Sequence, residues 1–115
     1  MYPELSGGPI VKITVSHERT KEEVKQAVNR SFDDVFKSVV NLPVELLQEQ
    51  RIWDGDTLKF SFVAKMGFMS TPIKGTIDVT DRDVTIDVDL GLMERLIPAE
   101  KVRDAIGNRV KGLLR

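Results

Sequence analysis

Apolar and polar residues alternate along three stretches in the second half of the chain. Leu58, Phe60 and Phe62 alternate with Lys59 and Ser61. Ile73, Gly75, Ile77 and Val79 alternate with Thr76, Asp78 and Thr80, and Val84, Ile86, Val88 and Leu90 with Thr85, Asp87 and Asp89. A period of two puts each set on its own face of a strand, so these segments predict an antiparallel sheet with one face to a core and one to water. The short Asp81-Arg82 connection makes the last two a hairpin. Ile10-Val11-Lys12-Ile13-Thr14-Val15 is β-branched, with Ile13 and Val15 on one face, and predicts a first strand. The segment from Leu46 to Trp53 is ambiguous. Leu47, Gln48, Glu49 and Gln50 would accept a helix, whereas the turn Asp54-Gly55-Asp56 after them favours a strand.

Two stretches follow the helical period. Thr20-Lys21-Glu22-Glu23 is a Thr-x-x-Glu capping box, and Val24, Val28, Val35, Phe36 and Val39 recur behind it until Asn41 and Pro43. The spacing predicts a helix over about 21–40. Pro98 suits a first helical turn, Glu100 suits the positive dipole end, and Val102, Ile106, Val110, Leu113 and Leu114 make one stripe. Gly107 and Gly112 weaken that helix by roughly 1 kcal/mol each, which implies packing against the sheet with close backbone approach at the glycines. Residues 1–9 hold two prolines and two glycines and read as a flexible lead-in, leaving 10–115 as one domain. The order β-α-β-β-β-β-α is satisfied by a two-layer α+β domain, a curved antiparallel sheet with both helices on its apolar face.

Composition narrows the function classes. The chain has 115 residues, 41% hydrophobic and 30% charged, as expected of a globular domain. Seventeen Lys and Arg against 18 Asp and Glu leave a net charge of −1, so no broad cationic field favours nucleic acid. With no cysteine, thiolate chemistry and disulfides are excluded. No apolar run approaches the ~20 residues of a membrane span, and the start lacks the basic and apolar regions of a signal peptide. The expectation is a cytoplasmic chain without a transmembrane segment.

Candidate chemistry is sparse. His17 is the only histidine; it could act as a general base, but no serine or carboxylate is tied to it by spacing, which favours a polar residue in the strand-to-helix connection. Asp78, Asp81, Asp83, Asp87 and Asp89 form an acidic hairpin, and alternation spreads them over a solvated face rather than converging them on a cation. Asp54-Gly55-Asp56 opens like a calcium loop but lacks the later glycine and glutamate. Trp53 reads as a cap on the core. No cofactor or metal is expected. Two apolar connections stand out: one over 64–72 with Met66, Phe68 and Met69 beside Gly67 and Pro72, the other with Leu92, Met93, Leu96 and Ile97. Two readings stand for them, lids folded over the core or an exposed binding surface.

The runs Trp53-Asp54-Gly55-Asp56-Thr57-Leu58-Lys59-Phe60, Lys74-Gly75-Thr76-Ile77-Asp78-Val79-Thr80 and Val84-Thr85-Ile86-Asp87-Val88-Asp89-Leu90-Gly91-Leu92, with Ile13-Thr14-Val15-Ser16-His17 before them, resemble the putative polyhydroxyalkanoic acid system protein family over about 10–115. The resemblance implies a small bacterial protein of polyhydroxyalkanoate metabolism, with some members at granule surfaces, and brings no catalytic residues. Against the family's pattern, the connection 64–72 reads as a longer and more apolar link. The element order also resembles, by fold analogy alone, a trimmed START-like or TATA-binding-protein-like arrangement.

The expected function is therefore non-enzymatic: binding of a granule surface, an apolar ligand or a partner through Met66, Phe68, Met69, Leu92, Met93, Leu96 and Ile97. The alternative is a START-like protein holding an apolar ligand between sheet and helix, which needs a cavity of roughly 300 Å³. The sheet's two edges also admit a homodimer.

Overall fold

The computed structural model of the protein describes residues 10–37, 44–91 and 97–115. In chain order the elements are β1 (Ile10–Ser16), α1 (Lys21–Lys37), β2 (Glu45–Asp54), β3 (Thr57–Met66), β4 (Met69–Val79), β5 (Asp83–Asp89) and α2 (Ala99–Leu113). The α+β expectation holds. The strands form one open antiparallel sheet in the order β1-β5-β4-β3-β2, so the first strand pairs with the last. The chain thus passes from one edge of the sheet to the other between β1 and β2, with α1 in that crossing.

Alternation does the work predicted of it. Val11, Ile13 and Val15 of β1, Leu58, Phe60 and Phe62 of β3, Ile73, Ile77 and Val79 of β4 and Val84, Ile86 and Val88 of β5 are buried in one cluster. Onto that face α1 lays Val24, Val28, Phe32, Val35 and Phe36, and α2 lays Val102, Ile106 and Val110. Phe32, Phe36, Phe60 and Phe62 form a quartet whose ring centroids lie 4.8 to 6.2 Å apart, in tilted, edge-on and stacked pairs. Gly75 sits among them because a Cβ there would collide with the Asp87 carbonyl oxygen and lie 2.9 Å from Phe60 Cζ. The Phe60 ring covers the gap its missing side chain leaves.

The start of α1 is fixed as the sequence implies, while α2 begins at Ala99 with Pro98 as its cap and no side-chain cap bond. Thr20 N–H donates to Glu23 Oε1 at 3.0 Å and Glu23 N–H to Thr20 Oγ1 at 3.1 Å, the reciprocal capping box. The Thr20 backbone bond holds the Glu23 carboxyl below its usual range. Lys21 and Lys25 reach Asp56 at 3.0 and 3.4 Å and clamp the β2–β3 turn beneath α1. Trp53 caps the core edge as expected, half-buried, with Nε1–H donating to Asn29 Oδ1 at 3.1 Å and the Lys25 ammonium 5.0 Å from its ring. The described part of α1 ends at Lys37; the predicted continuation to 40 and the stop at Asn41 and Pro43 lie outside the described residues.

Three sequence expectations are corrected or sharpened. The ambiguous segment before Asp54 is strand β2, and its ambiguity has a cause: Leu47 pairs with Val63 but Gln50 with Ser61, three steps against two, with Gln48 at φ 53°. This bulge interrupts the alternation. The apolar connection over 64–72 is no loop. Residues Ala64–Met66 pair with Met69–Thr71, leaving Gly67 and Phe68 as a two-residue turn with Gly67 at φ 63°, as a hairpin with glycine at its first central position requires. Pro72 is tolerated because it lies past the last β5 pair, Lys74↔Asp89, where no β5 bond needs its missing N–H. Finally, the α2 glycines are not forced by close approach. A Cβ on Gly107 would meet Ile13 Cγ2 at an ordinary 3.6 Å, and one on Gly112 nothing within 4 Å.

Candidate functional site

Extension of β3 and β4 beyond β5 projects a hairpin from one end of the sheet. Phe68 at its tip is fully exposed, at 104% of its reference accessibility. Met66 and Met69 face each other across the last pair, half-buried, on the same face as the core residues Ala64 and Thr71, and Met66 packs against that core. Of the second apolar run, Ile97 is half-buried against the core, whereas Leu92, Met93 and Leu96 lie outside the described residues. The predicted residues therefore divide. Met66 and Ile97 are cover for the core; Phe68 is surface.

Three further apolar residues that periodicity did not single out stand together on the open face, with the Lys65↔Ser70 pair between them and the Phe68 turn. The registers place Leu47, Val63 and Pro72 side by side across β2, β3 and β4 on the open face of the sheet. Leu47 is 38% exposed, Pro72 is exposed and Val63 half-buried. Farther along β2, the bulge keeps Ile52, 64% exposed, on the same face as Leu47 despite their odd spacing. The signal was present in the sequence as Leu46-Leu47, but only the bulge decides which of the two faces outward. Cations border this surface, since Lys65 and Lys74 occupy outward positions of β3 and β4.

The remaining candidates occupy structural positions. His17 is buried, at 8% exposure. Arg19 N–H donates to its Nδ1 at 3.0 Å, so Nε2 carries the proton and donates to the Thr80 carbonyl at 2.9 Å. With His17 N–H donating to Arg82 O, this imidazole ties the β1–α1 connection to the β4–β5 turn. Asp83, Asp87 and Asp89 lie along β5 on the open face, with Asp87 opposite Lys12 and Asp89 opposite Lys74 across the strands. No group of three or more metal-ligating side chains converges among the described residues. Burial pushes the Glu49 carboxyl up, and a hydrogen bond with Asp33 adds to this against the pull of Arg51, 2.8 Å away. Arg51 also donates to Asn29 O at 3.0 Å and lies 4.7 Å from the Phe32 ring centroid, so the group fastens the bulge to α1.

Between helices and sheet the described residues leave voids of about 20 and 10 Å³, the first among Phe32, Val35, Ile77 and Val110, the second among Phe36, Phe62, Leu90 and Ile106. Neither exceeds the space of about one water, and both are lined by apolar side chains.

Residues 11–114 match the family model described as putative polyhydroxyalkanoic acid system protein. The chain belongs to this family. No curated protein matches it. The family match takes in every strand and helix described except the first residue of β1, and its name links the chain to the polyhydroxyalkanoate system. Among the described residues, no helix of this family member is long and apolar enough to cross a membrane.

Proposed function

We infer that the protein is a binding rather than catalytic component of the polyhydroxyalkanoate system, attaching to an apolar surface such as that of a granule through the tip of the β3–β4 hairpin. One observation carries this reading: Phe68, a large apolar side chain, stands wholly in solvent at the end of a fully paired hairpin. Exposed apolar side chains mark contact sites, and a second apolar row, Leu47, Val63 and Pro72, lies on the open face beyond the Lys65↔Ser70 pair. A polymer of hydroxyacyl esters presents an uncharged, largely apolar surface for which such a tip is suited. Engagement of both nitrogens of His17 in fixed hydrogen bonds agrees with a structural rather than proton-transferring imidazole. The cavity alternative draws no support from voids of 20 and 10 Å³, against the roughly 300 Å³ of small-ligand sites.

Co-sedimentation of the purified chain with polyhydroxyalkanoate particles tests the reading. The wild type is expected in the pellet and Phe68→Asp in the supernatant. Equal partition of the two proteins would remove the hairpin tip from the account.

A further inference from the structure

The two edges of the sheet are finished differently. β2 carries a bulge, a residue at positive φ and the charged side chains Glu45, Glu49, Arg51 and Asp54, all devices that discourage another strand from pairing there. β1 has none of them apart from Lys12. Its register with β5 runs unbroken from Ile10↔Asp89 to Ser16↔Asp83. Because His17 N–H donates to Arg82 O, position 17 belongs to a bonded pair, and antiparallel alternation turns 11, 13 and 15 toward β5. The N–H and C=O groups of Lys12 and Thr14 therefore point out of the sheet, and no described strand pairs with them.

Alongside this edge runs one face of α2, with Arg103, Gly107 and Lys111 at successive turns and Asp104 and Asn108 beside them. Edge and helix enclose a groove of about 210 Å³. Arg103 and Lys111 set two exposed cations on its helix wall against the single carboxylate of Asp104, while the Lys12 side chain lies on the open face of the sheet opposite Asp87. A cationic helix wall along an unpaired strand meets the two requirements for capturing an acidic chain by strand addition.

We propose that the β1–α2 groove receives an extended acidic segment of a partner protein, which adds to β1 as a sixth strand. Its main chain bonds to the outward groups of Lys12 and Thr14. Alternate side chains of the incoming strand face α2, and acidic ones there meet Arg103 and Lys111. Charge selects this occupant over a second copy of the chain. A second copy carries the same Arg103 and Lys111 beside its own β1, so pairing of β1 with its copy brings like charges together along one seam. The site lies at the sheet edge opposite β2 and is independent of the hairpin tip.

The test uses the full chain and two capped heptapeptides, Thr-Glu-Val-Glu-Val-Glu-Thr and its counterpart with lysine for glutamate, followed by amide chemical shifts. The glutamate peptide is expected to shift the amides of Lys12, Thr14 and the 103–111 face of α2, and to bind at least tenfold more tightly than the lysine peptide. Thr14→Pro deletes an N–H that β5 does not use, so it spares the β1–β5 ladder and abolishes binding, while Thr14→Val retains it. The double variant Arg103→Glu, Lys111→Glu keeps the edge and loses binding at least tenfold. Equal binding of the two peptides, shifts confined elsewhere, absence of binding at millimolar peptide, or full binding to the double variant would each overturn the proposal. So would a dimer of the free chain that Thr14→Pro dissolves, since the groove's occupant would then be a second copy.

Discussion

At the scale of single residues, two polar side chains join parts of the chain that the apolar core does not join. His17 links the β1–α1 connection to the β4–β5 turn through both ring nitrogens. Removing it deletes two part-buried hydrogen bonds, to the Arg19 N–H and the Thr80 C=O, a loss of about 0.5–1.5 kcal/mol for each. His17→Ala is therefore expected to lower the urea midpoint without changing the slope of the transition; a change below about 0.5 kcal/mol would show that water replaces the imidazole at no loss. Asp56 is held below its usual range chiefly by the hydrogen bond from Lys21. A carboxylate with a depressed folded pKa stabilises the fold fully above its ordinary value of 3.8, and that contribution fades as pH falls through the lower folded value. Melting temperatures measured from pH 5 downward should fall less steeply for Asp56→Asn than for the wild type. Parallel curves would contradict the Lys21–Asp56 clamp.

At the scale of elements, local period was a good guide where alternation is unbroken. The strands through Leu58, Ile77 and Ile86 and the stripe Val102–Ile106–Val110 are where the sequence places them. It failed at two kinds of place. Gly67 and Pro72 look like loop formers, yet the first is what a two-residue turn needs and the second falls where β4 outruns β5. At Gln48 the bulge adds a residue, so the segment 46–53 fits neither period and Leu47 could not be assigned to the open face. Glycines divide on physical grounds too. Gly75→Ala places a methyl against the Asp87 backbone and is expected to destabilise by more than about 2 kcal/mol, as overpacking does. Gly112→Ala adds a methyl in open space within a helix and is expected to stabilise by up to about 1 kcal/mol. Thermal unfolding of the two variants should move in opposite directions; movement in the same direction would contradict the contacts assigned to either position.

At the scale of the whole molecule, one face of the sheet is closed by two helices and no described element covers the other, and the strand order could not be read from the sequence. Period two fixes which face a side chain occupies, not which strand lies beside it, so the pairing of β1 with β5 is tertiary information. That order leaves β1 and β2 as edges and lets the β3–β4 hairpin run past β5, which puts Phe68 at the tip. Apolar cover and apolar surface in the candidate site were inseparable in sequence because Met66, Phe68 and Met69 have the same hydrophobic character; the turn at Gly67 separates them. The central claim is that the exposed tip, not the filled core, is where this polyhydroxyalkanoic acid system family member binds. Adsorption isotherms of wild type and Phe68→Asp on polyhydroxyalkanoate particles test it most directly. Burial of about 80 Å² of the ring contributes about 2 kcal/mol, so the variant should bind roughly 30-fold more weakly with an unchanged unfolding midpoint. Isotherms that superimpose, or a wild type that does not adsorb, would contradict it.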